Sequence, residues 1–177
     1  AWFIPAVGNV LVPIAGVPLG YTEVSWFFFS VGMVFWLILM TLIFNRLVFH
    51  NPMPERLLPT TVILIAPPAV GFVAYTGLVG GIDPFARVLF YAAVLFALIV
   101  LTQLPKLARL AFGISWWAYS FPIAALTVAT FIYAEMTASA FHRNAAYGVF
   151  AVLAVIIGLL LLRTVRAVFA GEICKPE

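Results

Sequence analysis

The sequence predicts an all-α integral membrane fold of repeated transmembrane helical hairpins, with Pro-kinked inner helices alternating with straight outer ones. Three observations carry that expectation. First, 66% of the 177 residues are hydrophobic and 8% are charged, with a mean hydropathy of +1.19. An ordinary soluble domain has about 45–50% and about 25% respectively, so the polar residues here are too few to cover a water-facing surface. Second, the apolar runs are long and rich in Leu, Ala, Val and Phe, whereas a barrel strand alternates with period two over about 10 residues. Third, proline recurs at a fixed interval along the chain. Composition of this kind excludes a water-soluble enzyme and a disordered tail, and the net charge of +3 is too small to imply a nucleic-acid partner.

A span needs about 20 apolar residues, so six spans use about 120 and leave short connections. Residues 1–177 therefore read as a single transmembrane domain. The first stretch, about 2–19, is interrupted by Pro5, Pro13 and Pro18, and the second, about 24–49, has no proline. The third, about 58–79, carries Pro59, Pro67 and Pro68; the fourth, about 84–104, has none beyond its opening Pro84. Pro122 interrupts the fifth, about 115–135, and the sixth, about 144–169, is again proline-free.

Charges fall at the ends of these stretches, as the cost of a charge in hydrocarbon requires. One side collects Arg46, Arg56, Lys106, Arg109, Arg163, Arg166 and Lys175, while the other holds Arg87 and Arg143 beside Glu23, Asp83 and Glu135. The positive-inside rule makes the first side cytoplasmic and places both ends of the chain there. Trp2, Trp26, Trp116 and Trp117 fall near span ends, where indoles favour the headgroup region. Trp36 is mid-span and is expected to pack between helices.

The spacing of the prolines suggests a repeat. Pro5 to Pro59 is 54 residues, Pro13 to Pro67 is 54, and Pro67 to Pro122 is 55. A fixed period of that size points to repeated hairpins, each pairing one kinked helix with one straight helix. The kinked stretches also carry small residues, among them Gly8, Gly16, Ala69, Gly71, Ala125 and Ala129, which let backbones approach closely. A proline inside a helix removes one hydrogen bond and frees a carbonyl. In a bilayer that carbonyl needs a partner in protein or in a water-filled cavity. The kinks thus predict an inner layer lining a pathway; the alternative is that they only shape packing.

The centres of the kinked spans contain no Asp, Glu, His, Lys or Arg, the groups that proton-coupled transporters use as relays. Their polar residues are Asn9, Thr60, Thr61, Tyr75, Tyr119, Ser120, Thr127 and Thr130, and buried hydroxyls of this kind are expected to bond their own backbone. His50 and His142 fall on opposite membrane faces, and no ligand set for zinc or di-iron is present in the sequence. Neither a metal nor another cofactor is expected. Without a nucleophile near a base, enzymatic activity is not expected either. The lone Cys174 cannot form an internal disulfide. The chain opens Ala1-Trp-Phe-Ile-Pro, without an initiator Met or a basic leader.

Phe121 stands out from its setting. It precedes Pro122 in Ser115-Trp-Trp-Ala-Tyr-Ser-Phe-Pro, so a bulky ring sits beside a kink on a helix otherwise rich in Ala. A hydrophobic constriction gates by excluding water; the plainer alternative is a ring that packs, one of 17 phenylalanines.

The run Pro54-Glu-Arg-Leu-Leu-Pro-Thr-Thr-Val-Ile-Leu-Ile-Ala-Pro-Pro-Ala-Val-Gly-Phe and the run Ser115 to Pro122 resemble the tellurite-resistance/dicarboxylate-transporter family, which includes the plant slow-type guard-cell anion channels. Trp2-Phe-Ile-Pro-Ala-Val-Gly-Asn and Gly171-Glu-Ile-Cys are similar to its bacterial members. The resemblance implies ten helices in five hairpins, a pore lined by odd-numbered helices, a homotrimer in the bacterial inner membrane, and a Phe on the ninth helix that occludes the pore. Phe121 matches that position, and this chain would supply helices five to ten. The implied activity is passive transport of small inorganic or carboxylate anions, with Pro13, Gly16, Pro67, Gly71 and Pro122 lining the pathway. The alternatives are a carrier for tellurite, a C4-dicarboxylate such as malate, or a sulfite-type oxyanion, and a non-conducting membrane scaffold.

Overall fold

The computed structural model describes residues 3–49, 55–107 and 112–171, with side chains described for all but 55–57 of these. Expectations for Trp2, His50, Arg109, Cys174 and Lys175, and for the Arg56 side chain, lie outside the described residues. Among the described residues all regular structure is helical, the all-α class that the composition predicts.

Seven α-helices follow in order: α1 (Phe3–Gly16), α2 (Thr22–Phe49), α3 (Ala66–Val79), α4 (Pro84–Thr102), the single turn α5 (Leu104–Leu107), α6 (Ser120–Met136) and α7 (Ala140–Phe169). Two 3₁₀ segments, Glu55–Ile65 and Ile114–Tyr119, run directly into α3 and α6. Helices α2, α4 and α7, and the composite stretches Leu58–Val79 and Ile114–Met136, are long and apolar enough to cross a membrane. Helix α1, at 14 residues, reaches about 21 Å at 1.5 Å per residue.

Local chemistry sets the boundaries. Helix α3 ends at Gly80, whose φ of +71° suits a residue without Cβ and whose N–H donates to the Thr76 carbonyl. Three residues later Asp83 caps α4: its Oδ1 accepts from the Ala86 N–H at 2.8 Å, and Pro84 follows at the first helical position. Helix α7 begins at Ala140, four residues ahead of the expected start, because Ser139 caps it and accepts from the His142 N–H.

The helices pack as hairpins, α1 on α2, α3 on α4 and α6 on α7. Helix α3 sits between α1 and α6, so those three make an inner row backed by α2, α4 and α7. Burial follows the same division. Two thirds of the apolar window in Leu58–Val79 is buried, 67%, against 17% in α2 and 11% in α7. Small residues permit the closest approach: a Cβ on Gly32 of α2 would lie 2.5 Å from Val10 Cγ2 and 2.9 Å from the Ala6 carbonyl of α1. Trp36 is buried in the core, as its mid-span position predicts.

Candidate functional site

Proline lacks an N–H and is tolerated in the first helical turn, where no donor is needed. Pro67 and Pro68 occupy that position in α3, and Pro122 in α6. Upstream of each, the chain runs as 3₁₀ helix for 11 and 6 residues. Runs beyond three or four residues are uncommon, and a 3₁₀ stretch inside a longer helix marks a hinge. The spacing of the prolines predicts kinks; at Pro67 and Pro122 the structure changes helix type, while Pro13 lies inside the single α-helix α1. In each case a hydroxyl meets a carbonyl in or beside the 3₁₀ segment: Thr61 Oγ1 donates to the Leu58 carbonyl at 2.7 Å, and Ser120 Oγ to that of Trp117 at 2.8 Å. The two 3₁₀ segments pack against each other.

Phe121 is the second residue of α6 and is 44% exposed, whereas the neighbouring Pro122 is fully buried. The ring begins an open stripe continued one heptad on by Val128 and two heptads on by Glu135. The opposite face of α6 buries Leu126, Ala129, Thr130 and Tyr133. The remaining residues expected to line a pathway lie on the inner helices α1 and α3. Pro13 and Pro67 are fully buried on α1 and α3. Gly71 is buried with Met33 of α2 and Leu89 of α4 beside its missing side chain, and Gly16 presses its Cα side against Ser25 of α2. Both glycines thus sit where inner helices meet outer ones.

The hydroxyls behave as side chains of apolar helices do. Thr76 donates to the Phe72 carbonyl, Thr127 to that of Ile123 and Thr130 to that of Leu126, each four residues back. Two indoles do more than the headgroup assignment implies. Trp117 Nε1 donates to Thr164 Oγ1 of α7 at 3.0 Å, and the Arg163 guanidinium lies 5.1 Å from the centroid of the Trp116 ring. Nothing in the spacing of these four residues signals the contact.

At the opposite end of the inner row a second cluster joins four helices. Tyr75 of α3 donates to Asp83 Oδ2 at 2.6 Å. That bond, reinforced by the Ala86 N–H, holds the Asp83 carboxyl below the ordinary carboxylate range. Arg87 Nη1 donates to the Tyr133 hydroxyl at 3.2 Å, and the rings of Phe90 and Tyr133 stack with centroids 4.0 Å apart. His142 of α7 lies against Tyr133 at 4.8 Å. A shallow cleft of about 390 Å³ at this end is lined by Phe131, Ala134, Glu135, Ala138, Arg143 and Tyr147, and Phe121 is not part of it. Among the described residues no group of three or more His, Cys, Asp or Glu is placed to hold a metal.

Apolar hairpins in two layers, with helices long and apolar enough to cross a bilayer, define a multi-pass membrane protein. The chain belongs to the SLAC1 family, described as voltage-dependent anion channel, whose model matches residues 1–165. That family is one of anion channels and transporters, not of enzymes. The S-type anion channel SLAH3 of Arabidopsis thaliana is 26% identical over 94% of this chain, and the guard cell S-type anion channel SLAC1 of the same plant is 28% identical over 75%. The tellurite resistance protein TehA homolog of Haemophilus influenzae is 27% identical over 97%. The matches cover 26%, 24% and 52% of these relatives respectively, so the chain spans about a quarter of the plant channels and about half of the bacterial protein.

Proposed function

We propose that this chain contributes six of the ten helices of a passive anion pathway, with Phe121 as the occluding ring. The observation that carries the reading is the setting of Phe121: a large ring, 44% exposed, at the junction of 3₁₀ and α helix on an inner helix whose other face is buried. A ring there excludes water from a narrow lumen at no cost to the packing behind it. Selectivity then rests on pore width, on backbone and hydroxyl dipoles, and on the basic cytoplasmic rim. Pro13, Pro67 and Pro122 set the course of the inner helices, and Gly16 and Gly71 seat them on the outer layer. A homotrimer in the bacterial inner membrane, with both ends of the chain cytoplasmic, completes the proposal.

Anion current through the full-length polypeptide in planar bilayers tests it. Phe121→Ala is expected to raise the current at least about tenfold, the change that about 1.4 kcal/mol in the open–closed equilibrium produces. An inserted, folded Phe121→Ala protein with wild-type current refutes the gate. Saturating flux with counterflow would instead mark a carrier for oxyanions such as tellurite or for C4-dicarboxylates; the Haemophilus relative is named for tellurite resistance.

A further inference from the structure

We propose that Arg163 and Thr164 on the outer helix α7 are positioning residues for the gate, holding the 3₁₀ segment that carries Phe121 in its present winding. The inference rests on the reading of Phe121 as the occluding ring. Its starting point is that four side chains connect two adjacent turns of structure. Trp116 and Trp117 belong to the 3₁₀ segment Ile114–Tyr119, which ends two residues before Phe121. Arg163 stands over the ring of the first, and Thr164 accepts from the indole of the second at 3.0 Å. The Arg163 side chain is exposed, and its guanidinium lies over the indole face, where a cation is attracted to the ring. Thr164 takes a partner on another element, whereas Thr76, Thr127 and Thr130 of the inner helices donate to their own backbone.

The segment itself is not at rest. A six-residue 3₁₀ run has poorer hydrogen-bond geometry than an α-helix and is longer than such runs usually are. The Tyr119 hydroxyl in the same segment is buried with no hydrogen-bond partner among the described residues, which is destabilising in an apolar setting. Contacts from outside must therefore help to keep this winding, and the grip from α7 supplies polar contacts among them. The geometric consequence of releasing it is large. Passing from 3.0 to 3.6 residues per turn over six residues turns one end relative to the other by about 120° and shortens the run by about 3 Å. Phe121, carried on the far end, swings out of its present position. The grip thus couples a helix in the outer layer to the gate in the inner one.

The test measures anion current through the full-length protein for wild type, Arg163→Gln, Arg163→Lys and Thr164→Val, each with and without Phe121→Ala. Arg163→Gln is expected to raise the wild-type current about tenfold, Thr164→Val about threefold, and Arg163→Lys, which keeps a cation for the indole, less than twofold. In the Phe121→Ala background none of the three should change the current more than about twofold, because the ring they position is gone. Loss of a basic charge from the rim would act in the opposite direction, lowering current in both backgrounds, and that result overturns the proposal. Equal increases in both backgrounds overturn it too, as does an unchanged current in Arg163→Gln and Thr164→Val when Phe121→Ala conducts. That last outcome leaves the gate reading standing; a silent Phe121→Ala ends both. If Arg163→Gln does not insert, Thr164→Val decides alone.

Discussion

Helices α3 and α6 are built by the same device and end in different surroundings. Each is an α-helix entered from a 3₁₀ segment, with a fully buried proline in its first turn. Helix α3 has neighbours on every side: Ala66 to Phe72 are all buried, and its far end is tied to α4 through Tyr75 and Asp83. Helix α6 is packed on one face only, and Phe121, Val128 and Glu135 lie along the other. A 3₁₀ entry with a buried proline is therefore scaffolding that α3 and α6 share, while α1 keeps Pro13 inside one α-helix. What sets one entry apart is the side chain left facing open space beside it.

Two phenylalanines sharpen that comparison most. Phe72 on α3 is completely buried, 5.5 Å from Phe90 and 5.9 Å from Tyr133 by ring centroids. In a bilayer the transfer cost of exposing an apolar ring disappears, but the void left behind does not. Phe72→Ala should destabilise the fold by about 2 kcal/mol or more, the cavity share of a large-to-small change, and should leave anion selectivity untouched. Phe121→Ala should do the reverse, moving current while shifting stability by less than about 0.5 kcal/mol, as at an open site. Unfolding of detergent-solubilised protein alongside current recordings separates the two. Equal loss of stability in both variants would erase the distinction between the helices.

Much of this organisation is legible in the sequence, and the reason is physical. Hydrocarbon tolerates only satisfied backbone, so apolar runs become helices and charges mark their ends. Pro13, Pro67 and Pro122 stand on α1, α3 and α6, which are also the inner row. The side-chain site is less legible. Gly16 and Gly71 read as small residues that allow close approach, and a Cβ on them would meet Ser25, Met33 and Leu89, neighbours that sequence alone does not name. The grip of Arg163 and Thr164 on two indoles joins residues 47 apart in one pair, a separation that no local pattern encodes. Asp83, too, reads as a boundary charge until its bond to Tyr75 shows that it also ties two helices together.

That tie provides a smaller effect, visible through pH. The Asp83 carboxyl is held below its ordinary value, first by the Tyr75 hydroxyl and next by the Ala86 N–H. A group depressed on folding stabilises the fold above its unfolded value, about 3.9, and that stabilisation is lost as pH falls through the lower folded value. Thermal stability should be level in this respect from pH 5 to 8 and decline below about pH 4. Asn at this position still caps a helix and accepts from Tyr75, but does not titrate. Asp83→Asn should therefore flatten the acid limb of the melting profile, measured from pH 3 to 7. An unchanged acid limb would show that the tie between α3 and α4 contributes nothing to their difference from α6.

The smallest effect concerns threonines that look alike in sequence. Thr130 on α6 donates to the Leu126 carbonyl at 2.7 Å, inside its own helix, and that carbonyl already accepts from the helical ladder. Thr130→Val exchanges hydroxyl for methyl at nearly constant volume and orphans no donor. Its cost should stay within about 0.6 kcal/mol, the average for hydrogen bonds inside membrane proteins, with current unchanged. Thr164→Val makes the same exchange on α7 but leaves the Trp117 N–H without its acceptor, across the interface with the segment that carries Phe121. Two identical substitutions thus differ only in whether the lost bond lies within one helix or joins two elements. If Thr130→Val also altered the current, the open face of α6 would be acting through its packed face, and burial would no longer separate the scaffolding half of that helix from its gating half.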